Sequence, residues 1–359
     1  MSRNKSNSSM KRFVLITAGT ALGLFFLFLT FRDISFPDFL NGVKEMNPVY
    51  LLPGILIMLS VQLVRALRFG LILSPFCRLT VKDLWDLLNV WAGASMIMPA
   101  RLGELVRPYL LKERGASFSS GIGAVMVERF FDLSGLLLLL GLVLWKTPEI
   151  PKPYSFFGEM VLGVLAMGYV GVLLTLAYRS KVQAAVTRML SVFPERVSHF
   201  LDGFFQRLLD GFGIMASFRQ VMVIFGYSVL LWVLFSALTY MFLLAFSIKA
   251  PFLVAVTIQV FICFGVALPS APGFIGTFHI ACRTALALFG VQAVAAVSFA
   301  TVYHLFSLII CLILGLISYL TCGFSFDRSL FSANEKGTPV AEEHLDLVHS
   351  ENVPSQIVK

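Results

Sequence analysis

Six apolar runs, at roughly 13–31, 49–73, 121–145, 158–178, 220–246 and 293–321, most constrain what this chain can become. Each reaches the ~20 residues that cross a bilayer as a helix. In lipid every backbone N–H and C=O needs an internal partner, so only helices or closed barrels span. Period-two alternation is absent, which excludes a barrel. An all-α polytopic membrane protein follows. Composition agrees: charged residues make up 13% of the chain, against about 25% in soluble domains.

Two shorter runs, 85–98 and 252–268, are each followed by a Pro/Gly-interrupted stretch and a second partial helix. That pattern predicts two re-entrant broken-helix hairpins, tolerated only where they are buried or line a cavity. With the N-terminus inside and both hairpins returning to their side of entry, every basic loop lands in the cytoplasm, as the positive-inside rule requires. Six spans and two hairpins then form a span–hairpin–span unit that opens inward and a second that opens outward, an inverted repeat. Residues 1–12 are expected to be a cytoplasmic N-terminus, 13–322 the membrane domain, and the polar 323–359 a disordered cytoplasmic tail. The first run, long for a signal segment, reads as an uncleaved span. Within 180–218, Val197, Leu201, Phe204, Leu208 and Phe212 recur at helical spacing. They predict an amphipathic cytoplasmic helix, lying on the membrane or packed against the bundle.

A net charge of +8 in such a chain reads as topology and lipid contact, and no nucleic-acid signature accompanies it. The cysteines, Cys77, Cys263, Cys282, Cys311 and Cys322, form no C-x-x-C pair and read as small hydrophobes. No metal site or cofactor is expected.

The informative residues are charges at membrane depth. Arg65 and Arg68 sit one turn apart inside the second run, either snorkelling to headgroups or facing a polar cavity. Arg101, Glu104 and Arg107 recur every three residues in the first hairpin. They form either an internal salt-bridge ladder or an anion site, for which the planar guanidinium suits phosphate. Glu128, Arg129 and Asp132 open the 121–145 run; pairing with the hairpin arginines or a hydrolytic carboxylate dyad are the alternatives. In the second hairpin, Pro272, Gly273 and Gly276 break the helix, His279 and Arg283 share a face of the next segment, and His304 lies in the last run. These are core residues or a gate that binds substrate or protons.

Taken in order, Arg65-Ala-Leu-Arg68, Gly103-Glu-Leu-Val-Arg-Pro108, Leu111-Lys-Glu-Arg-Gly115, Val127-Glu-Arg-Phe-Phe-Asp132 and Ala271-Pro-Gly-Phe-Ile-Gly-Thr277 form a set. It resembles the flippase-like transmembrane domain of lysyl-phosphatidylglycerol synthases, across about 12–322. Many members carry Glu where this chain has His279; the chain is similar to the Thr-Phe-His subgroup, with His304 as the candidate partner. The aminoacyl-transferase domain is not among these residues, so lipid lysylation is not expected.

The resemblance implies lipid handling in a bacterial inner (cytoplasmic) membrane, with both termini cytoplasmic. The lipid would be a phospholipid, a polyprenyl-phosphate-linked sugar or a hopanoid. The expectation is a non-enzymatic lipid transporter whose headgroup site comprises Arg65, Arg68, Arg101, Glu104, Arg107, Glu128, Arg129 and Asp132. The alternative is a non-transporting partner of a glycosyltransferase or lipid-synthesis enzyme.

Overall fold

The computed structural model describes residues 17, 19–147, 152–194, 198, 201–203, 205, 206, 217–268 and 271–322, with the side chains of 99–101, 153, 154, 157 and 176 left out. The chain divides into Met1–Cys322 and Gly323–Lys359; the second unit, expected as a disordered tail, lies outside the described residues. So do residues 1–12 and most of 195–216, including four of the five apolar positions predicted to line an amphipathic helix.

Regular structure among the described residues is helical throughout. Helix α1 (Gly19–Phe31) turns by 80° into α2 (Phe36–Lys44), which Ser35 caps by accepting from the Asp38 N–H. Then come α3 (Leu51–Leu73), α4 (Val81–Ile97), a 3₁₀ segment (Pro99–Leu105), α5 (Val106–Glu113), α6 (Phe118–Lys146), α7 (Lys152–Ala177) and α8 (Arg179–Leu190). After them follow α9 (Phe218–Ala245), α10 (Phe252–Ala267), a 3₁₀ turn (Pro272–Phe274), α11 (Thr277–Ala287) and α12 (Ala293–Thr321). The order long helix, broken pair, long helix thus occurs twice, as α3/α4–α5/α6 and α9/α10–α11/α12.

Four of these helices are long and apolar enough to cross a membrane, or five if the bent α1–α2 pair is one span. Helix α6 matches them in length, but Glu128, Arg129 and Asp132 lie in its first half. The expected count of six spans is therefore not reached on length and composition alone. The first run is the clearest departure, since its described helix ends in a sharp turn at Arg32-Asp33.

Both hairpins break for the same local reason. A residue before proline is pushed out of the helical region. Met98, ahead of Pro99, is extended at ψ 129°, and Leu268, ahead of Pro269, is extended at ψ 147°. The chain then folds back at small residues. A Cβ on Gly103 would lie 2.6 Å from Ser95 Cα, and one on Gly265 would lie 2.8 Å from the Thr277 carbonyl. The two tips meet: a Cβ on Gly273 would sit 3.3 Å from the Met96 carbonyl. Helices α4 and α12 cross backbone to backbone, with the Gly93 Cβ direction 3.2 Å from Gly315 Cα.

Arg283 of α11 holds the end of α1. It donates to the Thr30 carbonyl, to the Leu29 carbonyl at 2.9 Å, and to Asp33 at 3.0 Å. A cation over the last carbonyls of a helix is also favoured by the helix dipole. The Arg283 hydrogen bond holds the Asp33 carboxyl below its ordinary range. A depressed folded-state pKa stabilises above the unfolded value and is lost as pH falls through the folded one. The backbone amides of the 31–35 turn should therefore stay protected from hydrogen exchange until pH falls below about 4. Asp33→Asn should remove that pH dependence; unchanged dependence would show that Asp33 is not the titrating group.

Candidate functional site

The charges at membrane depth converge between α3, α5, α6 and α9. Arg68 is 1% exposed and donates to Glu128 Oε1 at 2.8 Å, Asp132 Oδ1 at 2.6 Å and Ser228 Oγ at 3.0 Å. Arg107, fully buried, donates to the other Glu128 oxygen and to Glu104 Oε2 at 2.7 Å. Glu128 is thus clamped between two guanidiniums from different helices. Buried ions are tolerated when paired and hydrogen-bonded on all sides, and become costly when one partner goes.

Local sequence explains how these groups arrive. The 3₁₀ segment brings Glu104 to within one tight turn of Arg107, and α5 continues from it. Glu128 and Asp132 are four apart on α6 and share a face. Gly121 lets α6 close on α5: a Cβ there would lie 2.7 Å from Pro108 Cα. Aromatic faces complete the walls. The Arg107 guanidinium sits 4.0 Å over Trp91 and 5.4 Å from Phe69, and Arg65 lies 5.5 Å from Trp91 and 5.0 Å from Phe235. Cation–π contacts of this kind strengthen when desolvated. Arg65 further donates to Gln62 at 3.0 Å, and Gln62 donates to Asn89 at 2.7 Å.

The cluster has a buried centre and an accessible rim. At the rim, Arg129 reaches Asp132 at 3.3 Å and Glu104 at 3.7 Å, with the Arg129 side chain 44% exposed. These are long, exchangeable pairings. Arg68, Arg107 and Arg129 balance Glu104, Glu128 and Asp132 charge for charge, and the excess positive charge is that of Arg65, which pairs with no carboxylate among the described residues. Among the described residues, six buried side-chain atoms have no hydrogen-bond partner, and four of them lie here: Nε of Arg68, Nε of Arg107, Nδ2 of Asn89 and the Trp91 indole Nε1. Such groups are rare in native interiors, and all four are donors.

Of the residues expected at a headgroup site, Arg68, Glu104, Arg107, Glu128, Arg129 and Asp132 form one ion-pair network. Arg65 joins through Trp91. The Arg101 side chain lies outside the described residues. Ser228, Gln62, Asn89 and Trp91 were not singled out from sequence; a polar side chain inside an apolar helix was the available signal.

The second hairpin is organised differently. His304 Nε2 donates to the Gly273 carbonyl at 2.7 Å, and the Gly276 N–H donates to His279 Nδ1 at 3.3 Å. An accepting Nδ1 makes His279 the neutral, Nε2-protonated ring. The two rings lie 4.9 Å apart, centroid to centroid. Gly273 and Gly276 take φ of +67° and +91°, in the region that favours glycine, and Pro272 starts the turn between the broken helices. Arg283 does not join the histidines. Although it shares a helix face with His279 by spacing, its bonds go to the end of α1. Beside His304, Tyr303 and Thr239 share the Gln259 amide, which lies 3.0 Å from the threonine hydroxyl.

Residues 16–315 match the family described as the lysylphosphatidylglycerol synthase TM region. This chain belongs to that family. Among similar proteins is a UPF0104 membrane protein of Methanothermobacter thermautotrophicus, 26% identical over 71% of this chain and 78% of that protein. Glycosyltransferase AglD of Haloferax volcanii is 24% identical over 94% of this chain, which spans 59% of its length. A UPF0104 membrane protein of Methanocaldococcus jannaschii is 39% identical over 16% of this chain. All three come from archaea, and none supports the expected bacterial inner membrane.

Proposed function

We propose that this multi-pass membrane protein of the lysylphosphatidylglycerol synthase TM family handles an anionic or polyprenyl-linked lipid as a transporter, with the ion cluster as its headgroup site. The observation that carries this reading is the cluster itself: a charge-balanced network buried at its centre and accessible at Arg129, with the added cation of Arg65 and unpartnered donors around Trp91. The centre (Arg68, Glu128, Arg107) holds the helices together. The rim (Glu104, Arg129, Asp132) exchanges internal partners for a phosphate. The long Arg129 contacts are cheap to break, because half-exposed ion pairs contribute little.

The recurrence of long helix, broken pair and long helix supports an inverted-repeat transporter with six spans, both termini cytoplasmic and hairpin tips meeting within the membrane. The His279–His304 hairpin, with Pro272, Gly273 and Gly276, acts as the gate opposite the cluster. The His304 bond to the Gly273 carbonyl ties its tip to α12.

Vesicles reconstituted with the purified protein should translocate a fluorescent anionic phospholipid. Arg129→Gln should slow translocation by roughly tenfold, about 1.4 kcal/mol in the barrier, with an unchanged melting temperature. Equal rates would remove the cluster from the transport reading.

A second reading is favoured by the relative named glycosyltransferase AglD, which aligns with 94% of this chain. On that reading the protein is a membrane partner that presents a lipid-linked substrate to a glycosyltransferase. It predicts co-purification with such an enzyme and no translocation in vesicles.

A further inference from the structure

Arg65 is the cation that the ion-pair network leaves over. It stands in α3, a helix long and apolar enough to cross a membrane, where a charge is costly and calls for a partner. Trp91 and Phe235 offer it their rings, and Gln62 Oε1 accepts one of its N–H groups. Rings and an amide spread the charge without neutralising it. The residue is half-buried, so one side of it stays open.

The charge also orients the amides behind it. A guanidinium only donates, so Gln62 turns its oxygen to Arg65 and its nitrogen to Asn89. Asn89 then turns its oxygen to Gln62, and its NH2 is left with no acceptor. Arg65 forces this orphan, and rotating either amide does not remove it. Trp91, on the same helix as Asn89, carries both the Arg65 and the Arg107 guanidiniums against its ring, and its Nε1–H is unpartnered as well. The Ser95 hydroxyl, one turn further along α4, is another unpartnered group. Asn89 and Trp91 are 0% and 7% exposed. Burying donors without acceptors costs free energy, and here they collect beside the one unbalanced cation.

A water would accept from these groups and leave the charge. The nearby carboxylates, Glu104, Glu128 and Asp132, are held by Arg68, Arg107 and Arg129. We propose that α3, α4 and α9 form a site for one monovalent inorganic anion of the halide class, held by Arg65 with the Trp91 indole N–H and the Asn89 amide as further donors. One free cation matches one negative charge. A phosphate dianion would bring a second charge, and the cluster supplies no second unpaired guanidinium among the described residues. The Arg129 rim suits a small anion less, because Glu104 and Asp132 lie 3.7 and 3.3 Å from that guanidinium. The proposal deepens the headgroup reading by dividing its residues: the rim exchanges partners with a lipid, and Arg65 keeps an ion that balances the domain.

The test is equilibrium binding of radiolabelled chloride to the purified full chain in micelles, with gluconate holding the ionic strength. Melting temperatures are read with and without chloride. The variants are Arg65→Gln, Trp91→Phe, which keeps a ring and removes the N–H, and Arg129→Gln. The unmodified chain should bind one chloride, displaced by bromide, and melt several degrees higher in chloride, since a ligand that binds only the folded state stabilises it. Arg65→Gln should weaken binding by roughly tenfold or more, and Trp91→Phe by a smaller factor. Arg129→Gln should bind chloride as the unmodified chain does. If Arg65→Gln fails to fold, Trp91→Phe decides. No saturable binding, or binding unchanged in Arg65→Gln and Trp91→Phe, would overturn the site. Loss in Arg129→Gln alone would move the anion to the rim, overturning this site and leaving the headgroup reading standing. Inorganic phosphate displacing chloride at lower concentration than bromide does would overturn the monovalent assignment. Chloride binding as expected, with no lipid translocation in vesicles, would support the site and overturn the headgroup reading alone.

Discussion

Glu128→Gln should destabilise the protein by about 3–5 kcal/mol, the range for breaking a buried ion pair from one side. Glutamine keeps the shape and removes the charge. Arg68 and Arg107, at 1% and 0% side-chain exposure, would then share one neutral amide. Asp132 remains for Arg68 and Glu104 for Arg107, but both lie at the rim. Thermal melting in detergent should fall by on the order of 10 °C. Glu104→Gln is the matched control, since its side chain is 36% exposed and such pairs contribute at most about 1 kcal/mol. Adding Arg107→Met to Glu128→Gln should recover part of the loss, because one uncompensated cation is gone. Equal melting of Glu128→Gln and Glu104→Gln would show that Glu128 does not hold the cluster together.

Gly276→Ala carries the second large effect. Its φ of +91° strains any residue with a Cβ by about 1–3 kcal/mol. The added methyl would also meet the Gly23 carbonyl at 1.9 Å. That neighbour is backbone and cannot rotate aside, so α1 must lift or the hairpin tip must move. Either movement also disturbs the Gly276 N–H bond to His279. The expected result is a melting temperature lowered by several degrees and faster proteolysis near 31–35. Gly226→Ala on α9 is the control: nothing lies within 4 Å of its Cβ direction, and alanine favours the helix. If both variants melt alike, the seat of α1 on the second hairpin is not a structural joint.

The broken hairpins were legible in the sequence because Pro99 and Pro269 act on the residue just before them, a purely local effect. The pairing of Glu128 and Asp132 with arginines was one of two readings that sequence left open. Arg68 was expected in one site with Glu128 and Asp132, but that it pairs with them directly, 60 and 64 residues away, was not legible, because spacing on one helix says nothing about the helix packed against it. Arg283 shows the same limit from the other side. Its spacing from His279 is i, i+4, yet a long side chain follows the unsatisfied carbonyls within its reach, and those belong to α1. The 80° turn after Phe31 escaped notice because hydropathy registers apolar length and not direction.

The crossing of α4 and α12 at Gly93 and Gly315 has a mechanical consequence. Helices that pack through side-chain ridges interlock and resist axial slippage. At Gly93 and Gly315 backbone meets backbone, so no side-chain ridge interlocks the two helices at that point. Helix α4 carries the first hairpin, while α12 carries His304 and through it the Gly273 tip of the second. Axial creep of one helix past the other would change the registry of both tips at once, a shear that needs no hinge residue.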